Sequence, residues 1–75
     1  MAKSPLLKPQ KLSRILVSLG FNLVRHQGSH MFFEHPDGRT TVIPCHPGEE
    51  IRRGLLNKII KKDLEMEIEE FLKLL

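Results

Sequence analysis

The tripeptide Gly28-Ser29-His30 has the residue types and the spacing best suited to chemistry in this chain. Gly28 and Ser29 form a two-residue turn signal that closes a β-hairpin, because glycine supplies the positive φ of the first turn position. His30 then opens the return strand. An imidazole with a pKa of about 6.5 can accept or donate a proton at neutral pH. Beside basic side chains, it indicates a small metal-free ribonuclease.

Two other interpretations of His30 remain open at this point. It could be a surface residue that only ends the hairpin, since most histidines are not catalytic. It could also bind a metal with His35, Cys45 and His46, whose side chains are typical zinc ligands. No Cys-x-x-Cys pair supports such a site, and we expect neither a metal nor another cofactor. His26 and His35 are predicted to be exposed residues at strand ends.

The basic side chains predict a surface for a polyanion. Residues 1–62 carry 11 Lys and Arg against 4 Asp and Glu, whereas residues 63–75 carry one lysine against five acids, which together give the net +3. Phosphate contacts position a nucleic acid without reading its sequence. Phe32 lies on the same strand face as His30 and could stack a base, with core packing as the alternative. The candidate phosphate-binding residues are Arg25, Arg39, Arg52, Arg53, Lys58, Lys61 and Lys62.

Length and composition limit the class of protein. We expect residues 1–75 to form one domain, because 75 residues leave no room for a second. A hydrophobic content of 40% and a charged content of 28% are typical of a globular chain and not of a disordered one. No apolar run is long enough for a membrane span, and no signal peptide is evident. Cys45 is alone, so we expect no internal disulfide and a cytoplasmic location.

The elements that must position these residues follow from periodicity. Leu12, Ile15, Leu16 and Leu19 share one face of a helix that Pro9 begins and Gly20 ends. Strands are predicted over 21–27, 30–35 and 40–43, and tight turns make them an antiparallel meander. Helical spacing recurs over 52–62 and 68–75, with an uncertain break at Asp63. The fold class is therefore α+β, in the order α-β-β-β-α(α), with helices on one face of a three-stranded antiparallel sheet. This layout resembles the double-stranded-RNA-binding fold.

Several motifs in a fixed order carry a resemblance to a known family. They are Gly20-Phe21, Leu23-Val24-Arg25, Gly28-Ser29-His30, His35-Pro36-Asp37-Gly38, Ile43-Pro44, His46, Gly54-Leu55-Leu56 and Ile59-Ile60. With them the chain resembles, over roughly residues 9–72, the HicA-type mRNA interferase toxins of bacterial and archaeal toxin–antitoxin pairs.

The resemblance implies an activity, a site and a partner. It implies a double-stranded-RNA-binding-like fold and translation-independent cleavage of mRNA. The family's catalytic histidine lies in Gly-Ser-His, which here is His30, with Gly28 and Ser29 shaping the turn that presents it. The resemblance also implies a HicB-type antitoxin that covers this histidine.

The chain departs from the family pattern in two places. Leu55 stands where threonine is common, and residues 61–67 lack the usual Gly-Ile-Ser link between the last two helices. The sequence is compatible with three functions. The first is a metal-independent endoribonuclease toxin, the second is a non-catalytic RNA-binding module that uses the same basic sheet face, and the third is a protein whose sheet only docks another chain.

Overall fold

The computed structural model describes residues 6–75, which contain three antiparallel strands, three α-helices and one π-helical segment. In chain order they are α1 (Pro9–Ser18), β1 (Asn22–Gln27), β2 (His30–Glu34), β3 (Thr40–Pro44), α2 (Arg53–Lys58), a π-helical segment (Ile59–Asp63) and α3 (Ile68–Leu72). The predicted α+β order and the antiparallel meander are confirmed. Within residues 6–75, no helix has both the length and the apolarity required to cross a membrane.

The sheet has the strand order β1-β2-β3, and its two faces differ sharply in burial. Met31, Phe33 and Ile43 point to one face and are at most 8% exposed. The helices cover this face, and α1 contacts both outer strands. His30 and Phe32 alternate with these residues and therefore lie on the opposite, open face. The prediction that His30 and Phe32 share one strand face is confirmed.

β1 contains a bulge that the sequence pattern does not reveal. Leu23 pairs with Phe33 and Arg25 pairs with Phe32, so Val24 is an extra residue between two consecutive pairs. Because paired residues point to the same face, the bulge turns Arg25 to the open face, opposite to Leu23. Regular alternation would have placed these two residues on one face.

α1 ends where the backbone comes close to the turn between β2 and β3. Gly20 has a φ of +102°, and a Cβ at this position would lie 2.9 Å from Nε2 of His35. The Nε2–H of His35 donates to the Leu19 carbonyl (3.1 Å), and Nδ1 accepts from the Asp37 N–H (3.1 Å). The ring of His35 also packs edge-on against Phe21. The prediction that His35 is an exposed strand-end residue is therefore wrong, because these contacts make it part of the structure.

α2 continues into a π-helical segment, and the chain leaves the helix through a residue whose backbone is in the left-handed conformation. The Leu64 N–H donates to the Ile59 carbonyl at 2.8 Å, and Glu65 then has a φ of +56°. The buried Thr41 hydroxyl of β3 donates to Asp63 at 2.9 Å, which fastens this segment to the sheet. Asp63 thus lies at the break that the sequence left uncertain.

Candidate active site and nucleic-acid interface

His30 is the first residue of β2 and is exposed on the open face of the sheet. The turn before it contains Gly28 with a φ of +59°, as its sequence predicted. The Cys45 N–H donates to the Ser29 carbonyl at 2.6 Å. This bond joins the turn to the end of β3, where Pro44 pairs with His30. The backbone that presents the imidazole is therefore held from both neighbouring strands.

A groove of ≈ 530 Å³ runs along the outer edge of β3 and contains both His30 and Lys58. Lys58 is the last residue of α2 and is exposed, so its ammonium group is available to an anion in the groove. The remaining lining comes from β3, α2 and the π-helical segment: Thr40, Thr41, Val42, Pro44, Leu55, Ile59 and Asp63. The structure thus places an imidazole and a cation along one concave surface.

A second, smaller depression of ≈ 310 Å³ continues this groove. Both are lined by Pro44 and Leu55, so they form one continuous surface at the His30 end of the sheet. The second depression adds Arg52 and His46, together with the carboxylates of Glu49 and Glu50. Arg52 is therefore near the His30 groove, but two acids accompany it and reduce the positive potential there.

Arg25 and Phe32 form a stack on the open face. The guanidinium carbon of Arg25 lies 4.3 Å from the centroid of the Phe32 ring, a cation–π distance. Phe32 is partly exposed and lies outside the buried core, so the alternative of core packing is not realised. The stack begins two residues from His30, about 7 Å along the strand. These two predicted site residues therefore share the face of His30.

Arg39 lies at the other end of the sheet from His30. Its guanidinium donates to Asp37 at 2.8 Å and to the Leu64 carbonyl at 2.6 Å, and lies over the ring of Phe21 at 5.2 Å. The Arg39 N–H also donates to Asp37, and this backbone bond, assisted by the guanidinium, lowers the pKa of the Asp37 carboxyl. The side chain of Arg39 thus connects the β2–β3 turn to the segment after α2.

The remaining predicted cations lie on α2 and its continuation. Arg53, Lys61 and Lys62 are exposed, so they enlarge the basic surface beside the sheet. They are not among the residues that line the groove of His30. The structure therefore unites His30 with Lys58 most closely, with Arg25 and Phe32 on the same sheet face and Arg52 at the adjoining depression.

The alternative metal site of His30, His35, Cys45 and His46 is not supported by the positions of these residues. His30 and His35 mark opposite ends of β2, about 17 Å apart along the strand at 3.3–3.4 Å per residue. One ion cannot bind both side chains at metal–nitrogen distances of about 2 Å. Among residues 6–75, no three side chains of His, Cys, Asp or Glu come together in a way that could hold a metal ion.

Sequence reasoning gave no role to two features of the site. Glu34 shares the open face with Phe32, as strand alternation indicates, but a single acid among many basic residues does not by itself indicate a binding role. The bond between Thr41 and Asp63 joins positions 22 residues apart, and no local pattern could reveal it. This bond fixes the segment that follows Lys58, and so helps to set the width of the groove.

No curated protein sequence matches the chain. A family model described as the HicA toxin of bacterial toxin–antitoxin systems matches residues 9–64 of the 75 residues. The match runs from the first residue of α1 through the sheet to the end of the π-helical segment, and includes the whole groove of His30. The chain therefore belongs to the HicA toxin family of bacterial toxin–antitoxin systems.

Proposed function

We propose that this chain is an mRNA-cleaving endoribonuclease, with His30 as its proton-transfer group and no requirement for a metal ion. The observation that carries the proposal is the exposed imidazole of His30 in one groove with Lys58, in a chain of the HicA toxin family. The groove is open to solvent and lies on a basic part of the chain, as an RNA substrate requires.

The chemistry uses the ribose 2′-hydroxyl of the substrate as the nucleophile. Neutral His30 removes the 2′-hydroxyl proton, and the oxygen then attacks the adjacent phosphorus. The bond between phosphorus and the 5′-oxygen breaks, which leaves a 2′,3′-cyclic phosphate on one product. The 5′-oxygen takes a proton from solvent water to become a 5′-hydroxyl on the other product, and the hydroxide so formed accepts the proton that His30 had removed. The Lys58 ammonium group stabilises the negative charge that develops on the phosphoryl oxygens.

Substrate binding would use the cations that surround this groove. Arg25 and Phe32 offer a stacking surface for a base, while Arg52 and the exposed basic residues of α2 and the π-helical segment contact phosphates. Arg39 is not included, because its guanidinium is occupied by Asp37 and the Leu64 carbonyl. Binding should weaken steeply with salt, since each neutralised single-strand phosphate contributes about −0.7 to the slope of log K against log salt.

A HicB-type antitoxin would inhibit the toxin by covering the open face of the sheet. His30 and Lys58 are both exposed, so a partner has only to occupy their groove to exclude phosphate. We expect acidic side chains on the partner surface, because they would complement the basic residues and accelerate association at low salt. Protection of His30 from chemical modification in the complex would support occlusion. A silent complex in which His30 stays reactive would instead indicate inhibition from a distance.

The central experiment compares His30→Ala with His26→Ala. Both histidines belong to the β1–β2 hairpin and both are exposed, but His26 pairs with Met31 and therefore points to the other face. We expect purified His30→Ala to lose at least about a hundredfold in RNA cleavage, the smallest usual contribution of a general acid or base. His26→Ala should cleave at the wild-type rate, and thermal unfolding should show that both variants are folded. A His30→Ala variant with near wild-type activity would refute the catalytic role of His30.

Experiments with the purified wild-type protein distinguish an RNA-cleaving enzyme from a protein that only binds RNA. We expect the wild-type protein to cleave RNA at an unchanged rate in EDTA, with products that carry a 2′,3′-cyclic phosphate. Strong inhibition by EDTA would show that a metal ion takes part. Salt-dependent binding without any cleavage would favour the non-catalytic RNA-binding module, for which the stack of Arg25 on Phe32 is the supporting observation.

A further inference from the structure

We infer that the open face of the sheet carries a selective subsite for one nucleobase, in which Glu34 accepts a hydrogen bond from an exocyclic amino group. The inference deepens the proposed function, because it assigns base selectivity to the nucleotide beside the scissile phosphate. It rests on a shallow pocket that adjoins the groove of His30 and Lys58 and shares Thr40, Thr41 and Val42 with it, but contains neither His30 nor Lys58.

The pocket has a volume of ≈ 350 Å³ and contains one apolar side, one cationic side and one carboxylate. Phe32 and Val42 are directly paired across β2 and β3 and are both partly exposed, so they form an apolar floor. Arg25 lies over the Phe32 ring, and its planar guanidinium can stack on a base. Glu34 and Thr40, the next open-face pair, supply the polar end.

The carboxylate of Glu34 is available to a ligand. Glu34 is exposed and, among residues 6–75, it has no hydrogen-bond or ion-pair partner for its side chain. An ionised carboxylate only accepts hydrogen bonds. Adenine, cytosine and guanine each have an exocyclic amino group that donates to it, whereas uracil has none and presents the O4 carbonyl, which the carboxylate repels, where cytosine has its amino group. The subsite should therefore favour an amino-bearing base and disfavour uracil.

The charges around the pocket also indicate where the phosphates and the base of a bound RNA would lie. Glu34 repels phosphates, while Lys58 lies in the groove of His30. The phosphates should therefore follow the His30 end of the sheet, with a base directed along β2 towards Glu34. Phe32 lies about 7 Å and Glu34 about 13 Å from His30 along the strand, within reach of a neighbouring nucleotide.

The test measures binding with RNA that cannot be cleaved. Short 2′-O-methyl oligonucleotides of A, C and U lack the attacking hydroxyl, so fluorescence anisotropy with the wild-type protein reports affinity alone. We expect the A and C oligomers to bind about tenfold more tightly than the U oligomer, the lower range for one good base contact. In Glu34→Gln the preference should fall to within about twofold, because an amide can also donate to the uracil carbonyls.

Glu69→Gln is the matched control, since it makes the same change on an exposed residue of α3, away from the sheet face. It should keep the wild-type preference, and thermal unfolding should confirm that both variants are folded. An undiminished preference in Glu34→Gln, or equal affinity of the wild-type protein for all oligomers, would overturn the subsite. Failure of the proposed function looks different: the preference would persist, but no unmodified RNA would be cleaved.

Discussion

Glu65 is the position at which one substitution should make this protein more stable. Its φ of +56° lies in the left-handed region, where an L-residue other than glycine is strained by about 1–2 kcal/mol. Glycine relieves this strain but loses about 0.5–1 kcal/mol more backbone entropy on folding. With the middle of each range, Glu65→Gly should therefore raise the free energy of unfolding by roughly 0.5–1 kcal/mol. The side chain is exposed, so little packing is lost.

Thermal unfolding can resolve a change of this size. In a domain of this length, 1 kcal/mol shifts Tm by about 4–8 °C, so we expect Glu65→Gly to raise Tm by roughly 2–8 °C. The matched control is Glu69→Gly, which removes the same charge from a helical position in the first turn of α3. It should lower the free energy of unfolding by about 1 kcal/mol, the usual cost of glycine in a helix.

The backbone conformation predicts that Glu65→Gly raises Tm and that Glu69→Gly lowers it. If both substitutions lower Tm, the residue after Leu64 is not held in the left-handed region, and our explanation of how the π-helical segment ends is wrong. If both raise Tm, the gain comes from removing negative charge from the acidic end of the chain. Cleavage of RNA should be unchanged in both, since neither residue lines the groove of His30.

Three further predictions concern the contacts that hold the site. Gly20→Ala should cost about 2 kcal/mol or more in urea unfolding, because it combines a φ of +102° with a Cβ only 2.9 Å from His35; a cost below 0.5 kcal/mol would show that the contact is loose. Thr41→Val should cost about 1–2 kcal/mol by the same measurement, since it removes a buried hydrogen bond to Asp63, and an unchanged midpoint would contradict the role of this bond. Because the folded-state pKa of Asp37 lies below 3.8, its contribution to stability is present above that pH and is lost as the pH falls further, so Asp37→Asn should flatten the acid limb of a Tm-against-pH curve.

Local patterns were sufficient to predict most of the scaffold. The spacing of apolar residues between Pro9 and Gly20 predicts α1, and the turn at Gly28 and Ser29 predicts the hairpin that presents His30. Strand alternation from His30 also predicts the correct faces of β2, because β2 is regular. These features depend on neighbours in sequence, so one chain is enough to reveal them.

The remaining features depend on contacts between distant residues. The bulge at Val24 changes the face of Arg25, and the partner strand decides where an extra residue is accommodated. Arg39 binds the Leu64 carbonyl, 25 residues away in the sequence. No local pattern indicates this bond, and the positive charge of Arg39 by itself suggests only a contact with phosphate. The π-helical segment likewise forms where Asp63 meets Thr41, although ordinary helical periodicity continues across it in the sequence.

The bulge in β1 also affects how two copies of this protein would meet. β1 is an outer strand, and it exposes Leu23 (49%) and Val24 (58%). A regular apolar strand at a sheet edge is a template for strand pairing between molecules and for aggregation. The extra residue at Val24 disrupts the even spacing of backbone donors and acceptors, and the charge of Arg25 beside it repels a second copy. One inserted residue thus turns a cation towards the stack on Phe32 and protects the folded chain against growth of its sheet into a neighbouring molecule.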